Sequence, residues 1–224
     1  MRDAFVARLA QRAGQNARLH LITADLGFGV LTQFAADLPA QYLNVGVAEQ
    51  NMTGIATGLA LEGRTVFTYS IANFPTLRCL EQIRNDACYH DANVKIVSIG
   101  GGFSYGALGM SHHATEDLSI MRALAGVTVI VPSTTEEAQV AVDYALETPG
   151  VCYLRLDKSA APTLKPVTLE DFAQPSLLRP GNDGVIFTTG GIVAEALKAA
   201  DSLEGKGISM SVVNVRVLKP IQAS

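Results

Sequence analysis

Short, β-branched apolar runs alternate with longer amphipathic or small-residue stretches over most of this chain. The opening residues, MRDAFVARLAQR, mix apolar and charged positions as an amphipathic helix does. Strands are predicted at 19–24, 42–47, 65–70, 94–99, 127–131 and 151–156, with helices near 31–37, 49–62, 75–90, 116–125 and 134–147. The runs at 94–99 and 127–131 are rich in Val and Ile, as strands covered on both faces require. Strand–helix alternation with short connections predicts an α/β fold, a mostly parallel sheet with right-handed crossovers and flanking helices.

The pattern changes after Leu156. Residues 158–182 carry Pro162, Pro166, Pro175 and Pro180 with little periodicity, and read as a linker between a first domain over 1–157 and a second over 183–224. The second opens as a βαβ unit, with strands near 184–189 and 208–215 around a helix at 191–204. One such unit cannot cover both faces of its own sheet, so the second domain reads as the incomplete start of another α/β domain. If Ser224 were the terminus, the apolar face at 185–189 and 211–217 would need cover from a partner.

Composition narrows the class. Of 224 residues, 48% are hydrophobic and 17% charged, enough for a substantial core and incompatible with intrinsic disorder. A net charge of −4 without a Lys/Arg stripe argues against nucleic-acid binding. No apolar run approaches the roughly 18–20 residues of a membrane span, and the N-terminus lacks the apolar centre of a secretion signal. Cys79, Cys88 and Cys152 form no CxxC pair, so neither a disulfide framework nor a zinc site is indicated. A soluble, cytoplasmic protein is expected.

In open parallel sheets, ligands sit beyond the carboxyl ends of the strands. Three segments fall there: GVAEQN at 46–51, YSIANFP at 69–75, and GGGFSYGALGMSHH at 100–113. They bring one carboxylate, an aromatic cluster and two imidazoles to one rim. Each has a plainer explanation. Glu49 opens a helix, where an acid is favoured by the dipole; Tyr69 and Phe74 fit a core; the glycine run fits a mobile loop, lacking GxGxxG spacing and a P-loop lysine. Adjacent His112 and His113 point to different faces, against joint metal ligation.

Taken together and in order, however, these segments resemble a known family. GVAEQN resembles the Gly-[Val/Ile]-x-Glu-[Gln/His] motif of transketolases and deoxyxylulose-phosphate synthases, and GALGMSHHATEDLSIMRAL at 106–124 resembles a Gly-Ala-Asp-Gly-x-Thr-His-Gln segment and its following helix. Leu80-Glu81-Gln82-Ile83 matches a further stretch, and GVIFTTGGIVAEAL at 184–197 resembles the start of the family's C-terminal domain. From about 18 to 157 the chain is similar to the pyrimidine-binding domain of the thiamine-diphosphate-dependent transketolase family.

That resemblance implies that Glu49 hydrogen-bonds the cofactor's aminopyrimidine and promotes the tautomer in which its exocyclic nitrogen is basic, which needs a water-poor carboxyl group. It implies an aromatic stacked on that ring, Phe74 or, as second choice, Tyr69. His112 matches a histidine that touches substrate oxygens, Arg78 matches an arginine able to reach an anionic or polyol substrate, and His113 replaces a glutamine. Leu108 departs from the pattern, standing where the family carries an aspartate that contacts sugar hydroxyls.

The Gly-Asp-Gly…Asn motif that holds diphosphate and Mg²⁺ does not occur in these residues; Asn182-Asp183-Gly184 does not qualify. The resemblance therefore implies half an enzyme: the C-terminal-type subunit of a split transketolase, active with an N-terminal-type partner subunit carrying the diphosphate-binding domain. An α2β2 heterotetramer acting on sugars or sugar phosphates follows, with no metal ligands from this chain. Two other readings stand beside it, a β subunit of a 2-oxo-acid dehydrogenase E1 component and a non-catalytic scaffold of the same fold.

Overall fold

A computed structural model of the chain describes residues 1–162 and 164–222. The first part runs α1 (Arg2–Gln15), β1 (Leu19–Thr23), α2 (Thr32–Asp37), β2 (Tyr42–Asn44), α3 (Glu49–Leu61), β3 (Thr65–Ile71), α4 (Leu80–Gln82), β4 (Val94–Ile99), α5 (Asp117–Ala123), β5 (Val127–Ile130), α6 (Thr135–Glu147) and β6 (Val151–Leu156). The second part contributes β7 (Ser176–Arg179), β8 (Gly184–Thr188), α7 (Val193–Glu204), β9 (Met210–Asn214) and β10 (Val217–Lys219).

The main sheet has the order β10-β5-β6-β4-β3-β1-β2, and every pair is parallel except β10 against β5. All six residues of the central strand β4 are buried. Because side chains alternate across a strand, the sheet builds two cores. Phe67, Tyr69, Val97, Ile99, Leu154 and Leu156 pack with Phe5 and Leu9 of α1, Phe34 of α2 and Ala138 and Ala141 of α6. Ile22, Val66, Ile96 and Tyr153 pack on the other face with Met52 and Ala56 of α3, Ile83 and Met121. This is the helix-flanked parallel sheet expected from the alternation. The small residues at Ala56 and Ala60 let α3 lie close to the sheet.

Several boundaries differ from expectation for local reasons. The second strand stops at Asn44, whose side-chain oxygen accepts N–H bonds from Asp25 at 2.9 Å and Gly46 at 3.0 Å, turning the chain toward Glu49. The helix expected at 75–90 starts only at Leu77, as a 3₁₀ turn over Leu77–Cys79, and widens over Ile83–Cys88 into a π-helical stretch. The glycine-rich segment is a closed loop, pinned at its base by reciprocal bonds between Gly102 and Ala114.

The proline-rich segment is not uniformly irregular, because β7 lies within it and pairs antiparallel with β9. The second sheet has the order β7-β9-β8. Its two apolar stretches fare differently. Residues 211, 212, 214, 215, 216 and 217 are buried within the chain, since β9 is central and β10 joins the main sheet, so that stretch needs no partner for cover. Val185 and Phe187 of β8 remain exposed. Among the described residues no helix is long and apolar enough to cross a membrane.

Candidate active site

Glu49 is the first residue of α3, where the unpaired N–H groups of the helix start favour a negative charge. The turn at 44–46 drives it inward, so that it is only 2% exposed. Its Oε2 accepts a bond from Nη1 of Arg78 at 2.7 Å, although the arginine side chain itself is 46% exposed. Arg78 rides on the 3₁₀ turn after β3, and its guanidinium carbon stands 4.7 Å from the centroid of the Phe74 ring.

Phe74 is half-buried just beyond the end of β3. Its ring meets the His112 imidazole edge-on, with centroids 5.1 Å apart at 68°. The Tyr105 ring also packs against His112, with centroids 5.8 Å apart. Ser111 Oγ is 2.9 Å from His112 Nδ1. Lys158, the second residue after β6, places its Nζ 3.7 Å over the Tyr105 ring. The contacts Glu49–Arg78–Phe74–His112–Tyr105–Lys158 thus run unbroken along the strand ends.

The other predicted residues are placed elsewhere. Tyr69 lies within β3 and faces the α1/α2 core, 4% exposed, with its hydroxyl pushed upward by burial and its backbone oxygen held by Thr23. Its ring is enclosed in that core on the sheet face opposite α3, away from Glu49, so of these two aromatics only Phe74 lies at the rim. His113 turns back on its own loop, its Nε2 3.0 Å from the Gly106 carbonyl and its ring 5.0 Å from Phe103. A cleft of about 560 Å³ beside it is lined by Asn73, Leu77, Phe103, Met110 and Ser111. Leu108 is exposed on the same loop.

Beneath the loop lies a buried charged cluster. Tyr153 donates to Asp117 at 2.6 Å, Arg155 Nη1 is 3.6 Å from Asp117, and Arg155 Nε is 3.4 Å from Asp157. Burial raises the Asp117 carboxyl above its usual range, partly offset by Arg155 and the Tyr153 hydroxyl. A side chain at Gly101 would overlap both Arg155 and Asp157, so the loop can press onto this cluster only with glycine there. Cys79, whose thiol donates to the Phe74 carbonyl, is pushed up to about 11 by burial and is not a nucleophile at neutral pH.

Three further residues of the rim carry no signal of their own in the sequence: Tyr105, Ser111 and Asn73. Asn73 Nδ2 bonds the Met110 carbonyl at 3.1 Å and ties the loop after β3 to the glycine-rich loop. Lys158 falls at the start of the stretch that reads as linker; its signal is its position as the first cation after a buried strand, on the end where ligands bind.

The description "Transketolase, pyrimidine binding domain" matches residues 1–163, and "Transketolase, C-terminal domain" matches 174–224. The chain belongs to the transketolase family. This transketolase-family chain is 33% identical to an apulose-4-phosphate transketolase subunit of Phocaeicola vulgatus, over 98% of its own length and 72% of that protein's. It is 36% identical to a 6-deoxy-6-sulfo-D-fructose transketolase subunit of a Clostridium species, covering 98% and 69%. Among solved structures, a split-gene transketolase described as an inactive β4 tetramer is 35% identical, with a TM-score of 0.86 over 98% of this chain and 72% of that one. Transketolase from Leishmania mexicana, 24% identical, shares the fold with a TM-score of 0.87, over 97% of this chain and 34% of that one. Membership places the chain among transferases and implies thiamine diphosphate as cofactor.

Proposed function

We propose that this chain supplies the pyrimidine side of a two-subunit transketolase that moves a two-carbon ketol unit between sugar or sugar-phosphate substrates. The observation that carries the reading is Glu49, a carboxylate only 2% exposed that is linked through Arg78 to the ring of Phe74 at the strand ends. A planar, nitrogen-bearing cation bridges the two, which supports a carboxylate edge and an aromatic face suited to a planar nitrogen heterocycle.

When bound, thiamine diphosphate would supply the carbon nucleophile that opens the bond beside a ketose carbonyl. Glu49 would share a proton with a ring nitrogen, in a place where water does not compete. Phe74 would set the plane of that ring. His112, with Nδ1 beside Ser111 Oγ and its ring packed against Phe74 and Tyr105, would exchange hydrogen bonds or a proton with substrate oxygens through Nε2. Arg78 and Lys158 would flank it with positive charge, suited to an anionic group on the substrate. Exposed Leu108 makes this side of the entrance less polar than a hydroxyl-reading aspartate would.

Among the described residues no three His, Cys, Asp or Glu side chains gather as a metal site. In this reading the diphosphate and its Mg²⁺ are held by the N-terminal-type partner, in an α2β2 assembly. Calorimetric titration of thiamine diphosphate with Mg²⁺ tests it, first on the chain alone and then with a partner that carries the Gly-Asp-Gly…Asn motif. Binding in the mixture but not to the chain alone is the expected result. Absence of binding in both would overturn the reading in favour of a scaffold role.

A further inference from the structure

The two groups that the proposed function assigns to the aminopyrimidine are both engaged by one side chain. Arg78 donates an N–H bond to Glu49 Oε2 at 2.7 Å and holds its guanidinium carbon 4.7 Å from the centroid of the Phe74 ring. A guanidinium is a planar N–C–N unit that bonds carboxylates through its N–H groups and packs on aromatic rings, so it occupies the two partners that an aminopyrimidine would need. The two partners differ in freedom. Glu49 is fixed and buried at the start of a thirteen-residue helix, whereas Arg78 is 46% exposed on a three-residue 3₁₀ turn. Its long stem can swing outward without disturbing either core.

We infer that Arg78 is a displaceable internal plug of the aminopyrimidine site. It neutralises the buried Glu49 carboxylate and covers Phe74 until the cofactor ring takes both contacts. Once displaced, the guanidinium stands free at the mouth of the site, where it is available to an anionic group of the substrate. Cofactor binding therefore precedes productive substrate binding. The inference rests on the reading of Glu49 and Phe74 given under the proposed function.

A plugged site lowers apparent affinity by the fraction of molecules that are open. In the assembled two-subunit complex, Arg78→Ala is expected to lower the calorimetric Kd for thiamine diphosphate with Mg²⁺ by about tenfold, as for a site open in roughly one molecule in ten. Methylguanidine at millimolar concentration is expected to restore the weaker Kd in Arg78→Ala and to leave the wild type unchanged. An unchanged or weaker Kd in Arg78→Ala, with no effect of methylguanidine, overturns the plug. If Arg78→Ala does not assemble, Arg78→Lys carries the test: it keeps the charge but not the planar fork, so tighter binding supports the plug and equal or weaker binding overturns it. Glu49→Gln separates the two ideas. If adding it to Arg78→Ala leaves that variant's Kd unchanged, the assignment of Glu49 itself falls; if it weakens binding there while Arg78→Ala alone fails to tighten it, only the plug falls.

Discussion

A carboxylate with almost no exposed surface and one half-exposed cationic partner, as at Glu49, keeps its acceptor atoms in a fixed place. Glu49→Gln keeps that shape and removes the proton exchange. Turnover in the assembled enzyme is expected to fall by about 10²- to 10⁴-fold, the usual range for a lost acid–base group. Folding stability should change by no more than about 1 kcal/mol, because neutralising the residue leaves no unpaired buried charge and the lost partner is largely solvated. Steady-state kinetics beside urea denaturation would check this, and near-wild-type turnover would remove Glu49 from the mechanism. Glu49 is legible in the sequence because its motif is contiguous. The choice between Phe74 and Tyr69 is not, because it depends on which side of β3 each ring leaves and where that strand ends. Lys158 is hidden in the sequence because a proline-rich context makes its neighbourhood read as linker.

At the scale of elements, the site depends on turns that stop strands and on a loop that folds back. Asn44 ends β2 with its own side chain, and the glycine-rich loop returns to its base through Gly102 and Ala114. Gly100 begins that loop at φ +85, and a Cβ there would overlap the Tyr105 ring. Gly100→Ala is therefore expected to cost about 1–2 kcal/mol for the left-handed backbone alone, and to displace Tyr105 from beside His112. The expected kinetic signature is a lower kcat with the cofactor Kd unchanged, measured by turnover and calorimetry on one preparation. A parallel loss of cofactor affinity would show instead that the whole rim had moved. The existence and type of these elements are readable from period and composition. The π-helical widening after Ile83 is not, since it arises from backbone bonding that the side-chain pattern does not encode.

Across the whole molecule, the two parts of the chain are joined by buried polar contacts. Glu137, at the start of α6, accepts from the Ser133 N–H at 2.7 Å, Asn214 at 3.1 Å and Arg216 at 3.3 Å. Arg216 also donates to the Phe172 carbonyl at 2.9 Å and to Ser176 at 2.7 Å, and β10 follows it into the main sheet. Arg216→Leu would leave a buried carboxylate short of its cation, and a loss of about 3–5 kcal/mol is expected by chemical denaturation. A loss below about 1 kcal/mol would mean that Ser133 and Asn214 suffice to hold Glu137. By themselves the residues determined the α/β class and the family, because periodicity and contiguous motifs are local properties of a chain. Only the tertiary structure decided that Arg78 meets Glu49 across 29 positions, that Tyr69 belongs to a core, and that β10 completes the first sheet. Those outcomes depend on strand order and on the face each side chain takes, which are settled only when distant segments pack.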